Sequence, residues 1–152
     1  MMKIALTGHT TARLRGKDAE VAEWLKVVLT DLSIGEEDEL LCGGADGADT
    51  LFGECAFLFP RVKLKLCLPI KSYRGHALDA LKERANDIFW VSEIWDKGLN
   101  TKRDRYMVDN CDVLLAVWDG IKDGGTWRTI QYAMKKKKNI IFIDEEVFLD
   151  EE

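Results

Sequence analysis

A three-layer α/β/α sandwich around a mainly parallel sheet is predicted by three observations. Short apolar runs alternate with amphipathic helical patterns along the whole chain. Val113 to Trp118 is an unbroken apolar run, too short to cross a membrane and suited to a parallel strand covered on both faces. Glycine-bearing turns fall where a strand run gives way to a helix pattern: Gly8-His9-Thr10, Gly43-Gly44-Ala45-Asp46-Gly47 and Gly124-Gly125-Thr126.

Each element follows from its local pattern. Lys3 to Thr7 reads as the first strand, and Val21, Leu25, Val28 and Leu32 then recur at the helical period. Glu39 to Cys42 is a second strand. Asp46 is expected to cap a helix running to about Leu58, with Asp49 completing a capping-box-like start. Val62, Leu64, Leu66 and Leu68 alternate with Lys63, Lys65 and Cys67, which predicts a strand with one wetter face near a sheet edge, closed by Pro69. A helix over 77–87, a strand over 88–91 and a helix over 101–110 precede the apolar run. The helix opened by Gly124-Gly125-Thr126 extends to about Lys137, and Asn139 to Asp144 forms the last strand.

The chain of 152 residues reads as a single domain over residues 1–152, with 47% hydrophobic and 32% charged residues and only 2 prolines. A domain of that length buries roughly 70% of the surface its unfolded form exposes. The net charge of -5 argues against direct nucleic-acid binding, which needs a basic face. The run Lys135 to Lys138 sits at a helix end, where cations favour the dipole. Cys42, Cys55, Cys67 and Cys111 show no metal-ligand spacing, and the histidines are His9 and His76, so no metal site is expected. No cofactor is called for. Reduced, buried thiols and the lack of a long apolar stretch lead to the expectation of a cytoplasmic protein without membrane contact.

The glycine turns are the candidate ligand-binding elements. Glycine lets backbone N–H groups approach a phosphate or sugar, and turns at the carboxyl ends of parallel strands share one crevice. Gly124, Gly125 and Thr126 open a helix whose first turn lacks a carboxylate, with Arg128 nearby, as suits a phosphate. Gly43, Gly44, Asp46 and Gly47 suit a sugar, because a carboxylate accepts from hydroxyls and repels phosphate. Gly8, His9 and Thr10 do not form a P-loop, since seven residues separate Gly8 from Gly16-Lys17. Arg103 is placed to fork onto an anion and Asp119 to supply a polar group at the end of the apolar strand. Trp118 and Trp127 flank the last turn, where one could stack a base, though core packing explains most tryptophans.

Four segments, Ile4 to His9, Leu41 to Asp49, Arg103 to Asp112, and Ala116 to Gly120 with Gly124-Gly125-Thr126, resemble in order the SLOG superfamily. That Rossmann-like group includes the Lonely Guy phosphoribohydrolases and the Smf proteins, and the likeness is greatest to its YpsA/YspA-like branch. The resemblance implies a nucleotide or nucleotide-derived ligand, an NAD- or ADP-ribose-related molecule among them, held for sensing or sequestration. It also implies a homodimer or higher homo-oligomer. In the phosphoribohydrolases an arginine matching Arg103 and a glutamate three residues past the Gly-Thr pair carry N-glycosidic cleavage; Thr129 stands at the glutamate's place. The arginine usual after Gly-His is replaced by Thr10. Cleavage through an oxocarbenium-like centre needs a carboxylate. Asp119 or Asp46, with Arg103, are therefore the catalytic candidates for the alternative reading, a nucleotide N-glycosidase or deoxyribosyltransferase. A further alternative is an accessory DNA-processing interaction module.

Overall fold

The computed structural model describes residues 1–149. Strands β1 (Lys3–Gly8), β2 (Glu39–Cys42), β3 (Lys63–Ile70), β4 (Asp87–Ser92), β5 (Val113–Val117) and β6 (Asn139–Phe142) form one sheet in the order β4-β3-β2-β1-β5-β6. All five pairings are parallel. The helices are α1 (Thr11–Leu14), α2 (Asp18–Asp31), α3 (Ala48–Leu58), α4 (Leu78–Arg84), α5 (Leu99–Asn110) and α6 (Gly124–Lys135), followed by a 3-10 turn at Glu145–Phe148. The architecture is the expected α/β sandwich. No helix among the described residues is long and apolar enough to cross a membrane.

The period-two alternation of side chains divides the core into two layers. Ile4, Leu6, Leu40, Leu66 and Leu115 pack against Val21, Leu25, Phe52 and Leu81 of α2, α3 and α4. Ala5, Leu41, Cys67 and Leu114 face Met107, Val108 and Ala133 of α5 and α6. Covered on both sides, the inner strands are almost continuously apolar, which explains why they pair in parallel.

The chain steps outward from β1 to β4 and then returns to β5 on the other side of β1. This reversal makes the carboxyl ends of β1 and β5, where Gly8 lies opposite Val117, the point at which the following segments part and leave a crevice.

Three details depart from the pattern-based expectation. Strand β3 is second from the edge, and its wetter face is covered by α5: the Lys65 ammonium donates to the Tyr106 hydroxyl at 2.7 Å and lies over the stacked rings of Phe89 and Tyr106. The aliphatic stem is thereby sheltered while the charge keeps partners. Pro69 lies inside β3 instead of ending it. Because β2 stops at Cys42 opposite Leu66, β3 has a neighbour on one side only at Pro69, and the missing N–H need not break a ladder.

The third correction concerns α3, whose N-cap is Gly47 and not Asp46. The Ala48 N–H donates to the His9 carbonyl at 3.0 Å, and a Cβ at Gly47 (φ 111°) would stand 2.6 to 2.7 Å from the backbone of His9, Thr10 and Thr11. Asp49 instead accepts from the Ala45 N–H at 3.2 Å. Gly8 answers to the same contact from the other side, since a Cβ there would lie 2.5 Å from Ala48 Cβ and 3.0 Å from Val117 Cβ.

Gly8→Ala is therefore expected to destabilise the fold by about 1–3 kcal/mol, the usual cost of overpacking. Urea denaturation would register this as a lower midpoint at unchanged slope; an unchanged midpoint would show that α3 can retreat without cost.

Candidate functional site

The crevice at the strand reversal is a cleft of about 410 Å³, within the roughly 300–1,000 Å³ usual for small-molecule sites. Its floor is the end of β1, with Thr7, Gly8 and His9; α6 contributes Gly125, Thr126, Arg128, Thr129 and Tyr132. The opposite wall comes from Ala45, Asp49 and Tyr73, and from Arg103, Asp104 and Arg105 of α5. Four arginines, Arg13, Arg103, Arg105 and Arg128, face two aspartates, Asp49 and Asp104. In a chain of net charge -5, the cleft is locally cationic.

The start of α6 is free of side-chain competition. Its first turn holds no acid, and Asp123 at the N-cap makes no capping hydrogen bond. The Asp123 carboxylate instead pairs with Arg13 NH1 at 2.6 Å. The opening turn of a helix satisfies none of its own N–H groups, so these point outward as donors. The hydroxyls of Thr126 and Thr7, each on a residue 7% exposed, line the cleft without a hydrogen-bond partner among the described residues. Arg128 likewise has no ion pair there, and Arg105 lies over the Tyr132 ring at 5.0 Å.

His9 is 4% exposed and accepts the Asp119 N–H at Nε2, 3.1 Å away. Asp119 Oδ1 also approaches Nε2 at 3.2 Å, so the backbone N–H and the carboxylate of Asp119 both face this nitrogen. Burial holds the ring's pKa below the usual histidine value, against the pull of Asp119. Asp119 itself receives the Arg13 fork, Nε to Oδ2 at 2.9 Å and NH2 to Oδ1 at 3.2 Å. Burial alone would raise its pKa, but the bonds from Arg13 and Ile121 hold it below the ordinary range.

Arg103, 5% exposed, is engaged within the chain. Its NH1 donates to the Gly43 carbonyl and its Nε to Asp104 Oδ1 at 2.7 Å. Burial opposes its charge, yet Asp104 and Asp49 hold its pKa above the ordinary value. A Cβ on Gly43 would stand 2.8 Å from Asp49 Oδ2 and 2.9 Å from Arg103 NH1, so glycine there admits both charged groups. Burial pushes the Asp49 carboxyl up to about 6 against the pull of Arg103. Asp104 is raised by burial too, with Arg103 opposing.

Of the residues singled out in the sequence, Gly8, His9, Thr10, Arg103, Gly125 and Thr126 line the cleft. The others stand behind it or apart. Gly43 and Asp119 support Arg103 and Arg13 from behind, while Gly124 (φ 81°) has Arg13 NH1 3.1 Å from where a Cβ would be. Gly44 (φ 77°) packs against Leu68 and Leu78, and Gly47 against the turn after β1. Asp46 accepts the His76 N–H at 2.7 Å and lines a separate recess of about 150 Å³ with Thr11 and Asp18. Trp118 and Trp127 stack on each other, 5.0 Å apart at 10°, and neither lines the cleft. Asp104 and Arg105, which follow Arg103 in the charged run from Lys102, do line it, while Thr7, Tyr73, Asn100 and Tyr132 were not singled out. Tyr73 sits in a loop with no local motif.

No protein-family model matches the chain, and no curated protein matches its sequence. Solved structures share its fold. One, the X-ray structure of TM1055, has a TM-score of 0.61 at 16% identity, over 92% of this chain and 72% of that one. Another, S. aureus TarJ in complex with NADPH, has a TM-score of 0.52 at 13% identity, over 90% of this chain and 47% of TarJ. The chain thus spans about half of TarJ's length. These likenesses establish a Rossmann-like α/β fold.

Asp49 gives the cleft a pH signature. Folded, its carboxyl keeps a proton to about pH 6, against an ordinary value of 3.8. The folded state then binds more protons in that window, so this group's contribution to stability is greatest below pH 4 and falls as pH rises to about 6. Asp49→Asn should remove that fall from urea midpoints measured between pH 4 and 7. Identical profiles for parent and variant would mean that Asp49 is ionised throughout.

Proposed function

We propose that the chain binds a nucleotide or a related phosphorylated small molecule in this cleft, for sensing or sequestration. The observation that carries the reading is the uncapped start of α6, where outward N–H groups, the unpartnered Thr126 hydroxyl and Arg128 converge. A phosphate would meet donors and positive dipole there with no carboxylate in the first turn. The cleft volume of about 410 Å³ suits one mononucleotide, while a dinucleotide would extend past its rim. TarJ, crystallised with NADPH, offers a precedent for a nucleotide on this kind of sheet. The resemblance to the SLOG superfamily points the same way.

Calorimetric titration with AMP, ADP-ribose and inorganic phosphate tests this, alongside thermal shifts, because a ligand selective for the folded state raises apparent stability. Thr126→Val and Arg128→Ala should each weaken nucleotide binding by about tenfold, the loss of one charge-assisted hydrogen bond, with the melting temperature of the free protein little changed. Wild-type affinity in both variants would remove α6 from the site.

One observation favours a second reading, cleavage of an N-glycosidic bond. Thr129 replaces the carboxylate that such chemistry needs, but its hydroxyl stands 3.4 Å from Asp104 Oδ2, and Asp104 with Asp49 brings two acids into the cleft. Asp119 is tied to Arg13, and Asp46 faces the other recess, so Asp104 is the residue to test. Release of free base from nucleoside monophosphates, lost in Asp104→Asn, would replace the binder reading with an enzymatic one.

A further inference from the structure

The acids in the cleft, buried Asp49 and half-buried Asp104, are acceptors with unused capacity. Asp49 is 8% exposed, and its single hydrogen bond among the described residues comes from the Ala45 N–H to Oδ2, leaving Oδ1 open. Asp104 gives Oδ1 to Arg103, while Oδ2 has only the long approach of Thr129 at 3.4 Å. The two meet Arg103 at different places, Asp104 at Nε and Asp49 beside the NH1 end, where Gly43 lets both groups close in. These carboxylate oxygens open on the cleft with no strong donor from the chain, so this wall is complementary to a ligand that brings neutral O–H or N–H donors. A second anionic group would be repelled.

Distance along α6 narrows the ligand chemistry. The Thr129 hydroxyl donates to the Gly125 carbonyl at 2.9 Å and also approaches Asp104, so that acid lies about one helical turn, roughly 5 Å, from the donors at the helix start. That is the span from a 5′-phosphate to the hydroxyls of its own sugar. The unpartnered hydroxyls of Thr126 and Thr7, on residues 7% exposed, mark the other end of the same ligand.

Building on the phosphate-site reading, we propose that Asp49 and Asp104 are the sugar-recognition residues. They accept hydrogen bonds from the vicinal 2′- and 3′-hydroxyls of a ribose 5-phosphate unit whose phosphate rests at Gly125-Thr126, and they thereby select ribose over 2-deoxyribose. Arg103 is a positioning residue that holds the acids in place, through its Nε on Asp104 and its NH1 end beside Asp49.

The experiment compares ribose 5-phosphate, 2-deoxyribose 5-phosphate and inorganic phosphate by calorimetry on the wild-type chain and on Asp104→Asn. The wild type should bind ribose 5-phosphate about tenfold or more tightly than its deoxy analogue, as expected when a charged acceptor loses its donor. In the variant this preference should shrink to about threefold or less, while inorganic phosphate binds as well as before or better. Equal binding of the two sugar phosphates by the wild type overturns the sugar assignment and leaves the phosphate site standing; this arm does not depend on the variant folding. Failure of all probes to bind, inorganic phosphate included, overturns both.

Discussion

The turn after β1 and the start of α3 meet backbone against backbone, and the site takes its shape from that contact. Gly8 lets Ala48 settle against β1, Gly47 lets the chain pass under His9 to Thr11, and the Ala48 N–H closes the contact on the His9 carbonyl. Neither position has room for a side chain. The contact takes up the first N–H of α3 and packs that helix end against the turn after β1, whereas the start of α6 opens on the cleft. The turn also places the His9 ring where it meets the Asp119 N–H, and it leads into α1, which carries Arg13 to Asp119 and Asp123.

Charge placement builds the rest. Removing one partner of a buried ion pair is more damaging than never having the pair, because the other charge is left without compensation. Arg103 is in that position: Gly43, Asp104 and Asp49 together make its burial tolerable, and its charge keeps two acids folded into a low-dielectric cleft. Its side chain thus arranges the wall through Nε and NH1. Among the described residues, the cleft arginines without an ion pair are Arg105, which lies over the Tyr132 ring, and Arg128, both exposed.

Much of the architecture was legible in the sequence, because strand boundaries follow from apolar runs and both sheet faces are buried. The parallel character of the sheet follows from that pattern, while which strand pairs with which does not. What escaped was decided by tertiary contact. Asp46 has the composition of a helix cap, but the His9 carbonyl occupies the N–H it would have met. Arg103 has the chemistry of an anion fork, yet its partner carbonyl at Gly43 is 60 residues away in sequence. Lys65 reads as a solvated edge residue until Phe89 and Tyr106 close over it. Four-residue α1 is too short to show a period, and Tyr73 enters the cleft from a loop with no local signal. Glycine carried a double meaning: Gly8, Gly44 and Gly47 are needed for packing, which sequence alone does not separate from access to a ligand.

The pairing of Asp123 with Arg13 has a kinetic consequence. Because that carboxylate is held sideways, it does not have to be expelled from α6 before an incoming anion can seat itself. The donors are already in their bound arrangement, so capture carries little reorganisation cost. Arrival is then governed by steering toward a cationic mouth on an acidic protein, a process that rising ionic strength slows.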